Sequence, residues 1–464
     1  MSDEARARSA LFARLAKIDA ALVDALSRGR SFDRAGVDAV IDRVAGVDLV
    51  RGGRSLLDAT ELVAKWLAAW GLRAGSARHF GYPNPSSLSS SIAGDALAAM
   101  FDPQCALWES APAALAMERA ALAALSDACG FAMDPDASCF TTGASESLAT
   151  ALSAALVWKE PACAREGVFA LGGRPKVYAS RESHRSISKC VRVLGWGARA
   201  LVECDAPGPS YAMDCDAVAR SIAEDRARGE RPLAVVATAG TTIAGAIDPL
   251  ASLAALCERE GLWLHVDAAW AGAAALDPRT RPWLDGVERA RSIAWDAHKF
   301  PGLSLGTGML WTREAASLAA LFDTDADYVA SARARPQPYA RTAQWSRRAI
   351  GAKVWLSLAT EGVEGWAREF SRRVALGQRL RSALPEGWRL ANETPLPVVC
   401  ASHEALELRG LHAVARRAAK AGIFVDVVKM TDGHPVIRAA IVSSRNDERA
   451  VDELVAALAQ TSAD

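Results

Sequence analysis

The chain has 464 residues, 51% of them apolar and 23% charged. That is ordinary globular composition, and it excludes a disordered, collagen-like or disulfide-framework protein. Lysine plus arginine equals aspartate plus glutamate at 54 each, so no global field favours nucleic acid or an anionic membrane.

The length predicts two or three domains. No long apolar run marks a transmembrane helix, and the opening MSDEARARSA lacks the apolar centre of a signal peptide. A cytoplasmic protein is expected. Residues 4–27 put Leu11, Phe12, Leu15, Ile18, Leu22, Val23 and Leu26 on one helical face, and 55–72 reads as a second helix. These opening helices need something else to pack on. The Pro-, Ser- and Gly-rich segment 76–95 reads as a loop. From about residue 111, helices and short apolar strands alternate. Helices are expected at 111–129, 144–158, 184–194, 216–227 and 249–259. Strands are expected near 177–180, 199–203, 233–238, 262–267, 292–296 and 307–312. That alternation predicts an α/β fold, a mainly parallel sheet flanked by helices. Segment 322–345 reads as a long loop. Helices at 346–360, 363–383, 404–420 and 446–459, with strands near 397–401, 422–428 and 436–441, predict a small C-terminal α+β domain. The division expected is 1–75, 76–345 and 346–464.

Nine scattered cysteines form no CxxC pair, so reduced, buried thiols are expected and a zinc site is not. Only nine of the 54 basic residues are lysine. A lysine inside a dense motif therefore invites a question, because arginine cannot give up its proton and act as an amine nucleophile. Lys299 is such a residue, in SIAWDAHKFPG at the end of an apolar strand. Burial would lower its pKa and suit it to a Schiff base; alone, it reads as a surface lysine on a loop. Asp267 ends the strand LWLHVD before two alanines that leave room for a flat ring. A protonated pyridine nitrogen would be a fitting partner for its carboxylate; a salt bridge or helix cap is the plainer reading. His265, Asp267 and His298 are a remote metal set. Thr141–Ser147, TTGASES, opens a helix with small residues, so free N–H groups and the positive helix end would hold a phosphate. His184, where a strand hands over to a helix, could stack on a ring or transfer a proton. Thr238, Thr241 and Thr242 offer hydroxyls at the same sheet edge. Together these residues fit pyridoxal 5′-phosphate better than a nucleotide or a metal.

The motifs HVDAAWAG and DAHK, with Lys299 following Asp267 by 32 residues, resemble those of the group II pyridoxal-phosphate-dependent amino acid decarboxylases. The resemblance runs from about residue 55 to the C-terminus. It implies the fold type I architecture of pyridoxal-phosphate-dependent transferases. It also implies a homodimer with shared active sites, the opening helices packing across the dimer, and decarboxylation of an L-amino acid to the amine and CO2. By this resemblance Lys299 would form the Schiff base with the cofactor and Asp267 would keep the pyridine nitrogen protonated. His184 would stack on the ring and Ala269 pack on its other face. Ala144 and Ser145 would hold the phosphate, helped by Asp296 and His298, and Thr242 would lie near the cofactor. Some relatives carry Asn where Asp296 stands. Tyr328 matches a mobile-loop tyrosine that protonates the substrate carbon after CO2 leaves. Retention of Tyr328 and His184 favours simple decarboxylation over oxidative deamination to an aldehyde. The substrate pocket would draw on Tyr82, Pro83, Asn84 and Pro85 with Ala106, Leu107 and Trp108, from this chain or from a partner subunit. Arg347 or Arg348 would bind the substrate carboxylate, and Arg333 and Arg335 would suit an acidic side chain. The plainer reading of all four arginines is a solvated surface residue. Aromatic, acidic and diamino substrates stay open, as do an aldehyde synthase, an aminotransferase and a non-catalytic homologue.

Overall fold

In the computed structural model of the chain, the described residues are 3–27, 37–70, 75–81, 85, 87–134, 136–324 and 336–460. Three helices open the chain: α1 (Asp3–Ser27), α2 (Val37–Ala45) and α3 (Leu56–Trp70). Helices α1 and α3 lie together, linked by an Arg14–Glu61 ion pair. Their outer faces leave Phe12, Leu22, Val63 and Leu67 exposed. Helix α4 (Ser89–Phe101) begins inside the segment read as a loop. Its three leading serines hid it from a search for apolar periodicity, yet Ser91 is buried and bonded to Ser304. Helix α5 (Pro112–Cys129) starts on proline, whose missing N–H costs nothing there, and stops at Gly130 with φ 67°.

The central sheet then forms from β1 (Cys139–Thr141), β2 (Pro175–Ser180), β3 (Leu201–Cys204), β4 (Arg231–Thr238), β5 (Trp263–Asp267), β6 (Ser292–Asp296) and β7 (Gly308–Thr312). Their order is β1-β7-β6-β5-β4-β2-β3. Pairing is parallel from β3 through β6, while β7 runs antiparallel to both β6 and β1. Helices α6 (Ala144–Lys159), α7 (Cys163–Glu166), α8 (Ser186–Val193), α9 (Cys215–Ala227) and α10 (Leu250–Glu260) lie between the strands in sequence, and α11 (Ala315–Phe322) follows β7. Both sheet faces are covered, so β2, β5, β6 and β7 are buried at every position. This explains their near-continuous apolar runs. Val235 joins the core on one face with Trp295 and Trp311, and its neighbour Val236 joins the other with Leu152 and Trp263.

Helix α12 (Gly351–Ser382) follows, broken at Gly362, whose φ 68° and ψ 168° suit only glycine. The two helices expected there thus meet at one kink. Helix α12 packs on α4 and α5. The chain ends in β8 (Trp388–Leu390), β9 (Val398–His403), α13 (Leu408–Lys420), β10 (Asp426–Lys429), β11 (Pro435–Ala440) and α14 (Glu448–Ala459). These strands form an antiparallel sheet in the order β10-β11-β9-β8. One face meets α13 and α14 through Val399, Leu411, Ile437 and Leu454. Strands β1 and β8 span three residues each, too short to show a period in the sequence.

All nine cysteines are unpaired and buried or nearly so. Burial raises their pKa, Cys105 and Cys190 to about 12, which makes them poor nucleophiles. Among the described residues no helix is long and apolar enough to cross a membrane.

Candidate active site

A cavity of about 580 Å³ opens at the C-terminal ends of the parallel strands, where open α/β sheets place their ligands. Strand β5 delivers Asp267 and β6 delivers Asp296, and the turn after β6 delivers His298 and Lys299. One oxygen of Asp267 accepts from the Ala269 N–H at 3.1 Å, and Ala269 lies beside it in the cavity wall. Lys299 Nζ stands 3.0 Å from Asp296 Oδ2, and His298 Nε2 stands 3.5 Å from the same oxygen. The other oxygen, Asp296 Oδ1, is buried without a hydrogen bond. Burial chiefly lowers the pKa of His298 against the pull of Asp296.

The opposite wall is the start of α6. Its N-cap is Gly143, φ 154°, with no capping side chain. The backbone N–H groups of Ala144 and Ser145 therefore face the site as unpaired donors at a positive helix end. Close approach builds this cradle. A Cβ on Gly308 of β7 would stand 2.5 Å from Thr141 Oγ1 and 2.6 Å from Gly143 Cα, so only glycine lets β7 run beneath the turn. Glu146 fixes the turn by accepting from the Thr142 N–H at 2.8 Å and hydroxyl at 2.7 Å. Its other oxygen accepts from Gln344 Nε2 at 2.6 Å.

His184 is exposed at the cavity mouth. Its Nδ1 lies 2.9 Å from Ser186 Oγ and accepts the Ser186 N–H at 3.3 Å, which leaves the proton on Nε2. Desolvation and then the Lys299 charge lower its pKa, favouring the neutral ring. Behind it, Ser183 Oγ meets Thr238 Oγ1 at 2.9 Å. Asp248 accepts the Thr238 and Met213 N–H groups at 2.7 and 2.8 Å, and burial pushes its pKa up to about 7.

The structure thus brings Ala144, Ser145, His184, Thr242, Asp267, Ala269, Asp296, His298 and Lys299 to one cavity. Trp108 and Arg347 line a separate small cavity of about 50 Å³. Arg347 is buried, 3.2 Å from Glu118 and bonded to the Cys105 carbonyl at 2.9 Å. Pro85 lines a third, apolar cavity together with His298 and α1. Tyr82, Pro83, Asn84, Tyr328, Arg333 and Arg335 lie outside the described residues. Sequence reading missed Arg438, Trp270, Ser186 and Val398, which also line the main cavity. Arg438 sits in the otherwise apolar strand PVIRAA, and a lone charge in such a strand was the available signal. It donates to the Thr242 carbonyl at 2.8 Å and lies 3.2 Å from Asp426.

These residues fit pyridoxal phosphate. The cradle of unpaired N–H groups suits a phosphate. The amine and the carboxylate at the far strand end supply further contacts such a molecule needs. Among the described residues no three metal-binding side chains converge.

Residues 63–403 match the pyridoxal-dependent decarboxylase conserved domain. The chain belongs to this decarboxylase family. It is 33% identical over 284 residues to cysteine sulfinic acid decarboxylase of Mus musculus, covering 58% of this chain and 56% of that protein. It is 31% identical over 329 residues to an acidic amino acid decarboxylase of the same species, covering 68% and 57%. The chain therefore spans little more than half the length of these relatives. Among solved structures, mouse CSAD superposes with TM-score 0.87 at 24% identity over 97% of this chain and 98% of that one. Oryza sativa TDC with PLP and tryptamine gives 0.88 at 23% identity over 98% and 97%. At that identity the superpositions establish the fold, the one expected for a decarboxylase of this family.

Proposed function

We propose that the chain is a pyridoxal-phosphate-dependent carboxy-lyase that converts an L-amino acid with an acidic side chain to its amine and CO2. The observation that carries the reading is the single cavity joining Lys299, Asp267 and the α6 cradle. When bound, the cofactor's pyridinium ring supplies the electron sink for the carbanion that decarboxylation leaves. Lys299 Nζ would hold the cofactor. Asp267 keeps a proton on the pyridine nitrogen. Ala144 and Ser145 hold the phosphate through their N–H groups, with His298 and Asp296 beside them and Thr242 at the rim. Ala269 and neutral His184 would flank the ring. Arg438, in the cavity wall, and Arg347 are the two guanidiniums that would meet the substrate's carboxylate. Tyr328 delivers the proton to the substrate carbon, which favours amine over aldehyde.

The acidic substrate class is supported by the names of the curated relatives and by a guanidinium in the cavity wall. A homodimer is supported by the exposed apolar faces of α1 and α3 beside an apolar cavity of about 1110 Å³, an area a second copy would cover. Nine unpaired thiols suit the cytoplasm. Incubation of the cofactor-loaded protein with cysteine sulfinate, aspartate, glutamate, tryptophan and 2,4-diaminobutyrate, with CO2 and amine measured together, tests the reading. Equal CO2 and amine from an acidic substrate is expected. Turnover of only aromatic or diamino substrates would overturn the substrate class, and no CO2 from any would overturn the reaction.

A further inference from the structure

We infer that Arg373 is a positioning residue that fixes the span between Lys299 and Arg438. The inference rests on the proposal that both residues serve one active site.

Arg373 projects from α12 and is only 2% exposed. Its donors go to two different parts of the molecule. Nη2 donates to the Pro301 carbonyl at 2.8 Å, two residues after Lys299. Nη1 donates to the Val442 carbonyl at 2.7 Å, four residues after Arg438 and just past the end of β11. The guanidinium also lies over the Phe300 ring, 4.7 Å from its centroid. The Phe300 carbonyl is held in turn by Trp295 Nε1 at 3.1 Å. The turn that bears the lysine is thus tied on one side to β6 and on the other, through Arg373, to the small sheet.

The charge makes this arrangement informative. Arg373 Nε donates to Glu369 Oε1 at 2.8 Å, but the same carboxylate serves Arg372 at 2.8 and 2.9 Å. One carboxylate therefore answers two guanidiniums. A buried cation that shares its carboxylate is a poor way to stabilise a core, since an apolar side chain of similar volume often does as well or better. What an apolar side chain cannot do is satisfy two buried carbonyls from separate segments at once and so hold them at a set distance. Lys299 and Arg438 lie on those two segments and line the same cavity.

The test uses the full-length, cofactor-loaded protein and the variants Arg373→Met, Arg373→Lys and Glu369→Gln. Three quantities are read: the pH midpoint of the visible band of the lysine-bound cofactor, KM against kcat, and the melting temperature. Arg373→Met is expected to raise KM roughly 10- to 100-fold, as a misplaced group does, and to move the band's pH midpoint. Arg373→Lys, which keeps the charge but has a single nitrogen in place of the fork that reaches both carbonyls, should fall between it and the parent. Should Arg373→Met fail to fold, Glu369→Gln carries the test, with a smaller shift in the same direction. A lower melting temperature with band midpoint and KM unchanged would make Arg373 merely structural and overturn the inference. A parent protein with no lysine-linked band would instead overturn the assignment of Lys299, a distinguishable failure.

Discussion

Asp267 and Asp296 end neighbouring strands, and each carboxylate needs a partner there. Asp296 finds Lys299 and His298. Asp267 finds one backbone N–H, which leaves it fit to meet a cation that enters the cavity. Asp267→Asn should lower kcat by roughly 10²–10⁴-fold, read by steady-state kinetics, while leaving the lysine-bound cofactor in place. His265, two residues earlier, is fully buried with its Nδ1 2.8 Å from Ser292 Oγ and its Nε2 unpartnered. Burial lowers its pKa from 6.5 to about 4. The fold therefore resists protonating it. Its stabilising contribution is complete above pH 6.5 and is lost as pH falls towards 4, by up to about 3 kcal/mol. In thermal melts between pH 4 and 8, His265→Asn should flatten that acid-side slope relative to the parent; an unchanged slope would contradict the assignment. Strand-end polar residues were legible in the sequence because they break apolar runs. The partner of Arg347 was not legible, because Glu118 lies 229 positions away and no local pattern announces it.

Elements follow the same logic. The parallel strands were readable because double-sided burial makes continuous apolar runs, and the helices between them because small residues and glycines mark their ends. Strand β1 was not readable, since its three residues are held by pairing with β7 rather than by their own pattern. That pairing places the phosphate cradle. Gly308→Ala is expected to push β7 away from Thr141 and Gly143. It should destabilise the protein by about 1–3 kcal/mol and weaken uptake of pyridoxal phosphate, measured by melting and by equilibrium dialysis. Normal cofactor affinity in this variant would show that the cradle does not depend on that approach.

At the scale of the whole molecule, the division into 1–75, 76–345 and 346–464 remains our proposal, with the cavity drawing on both sheets through Lys299 and Arg438. The opening helices present apolar side chains outward, as Leu22 at 44% and Leu67 at 69% exposure illustrate. Sedimentation should therefore give about twice the 49.0 kDa of one chain. Leu22→Asp combined with Leu67→Asp should yield a monomer, and a parent that is already monomeric would refute the assembly. The central claim, that Lys299 holds pyridoxal phosphate in this cavity, is tested most directly by borohydride reduction of the purified yellow protein followed by peptide mass spectrometry. The account predicts loss of the visible band and a reduced cofactor adduct on the Lys299 peptide alone. A colourless protein that takes up no cofactor, or an adduct on another of the nine lysines, would contradict it.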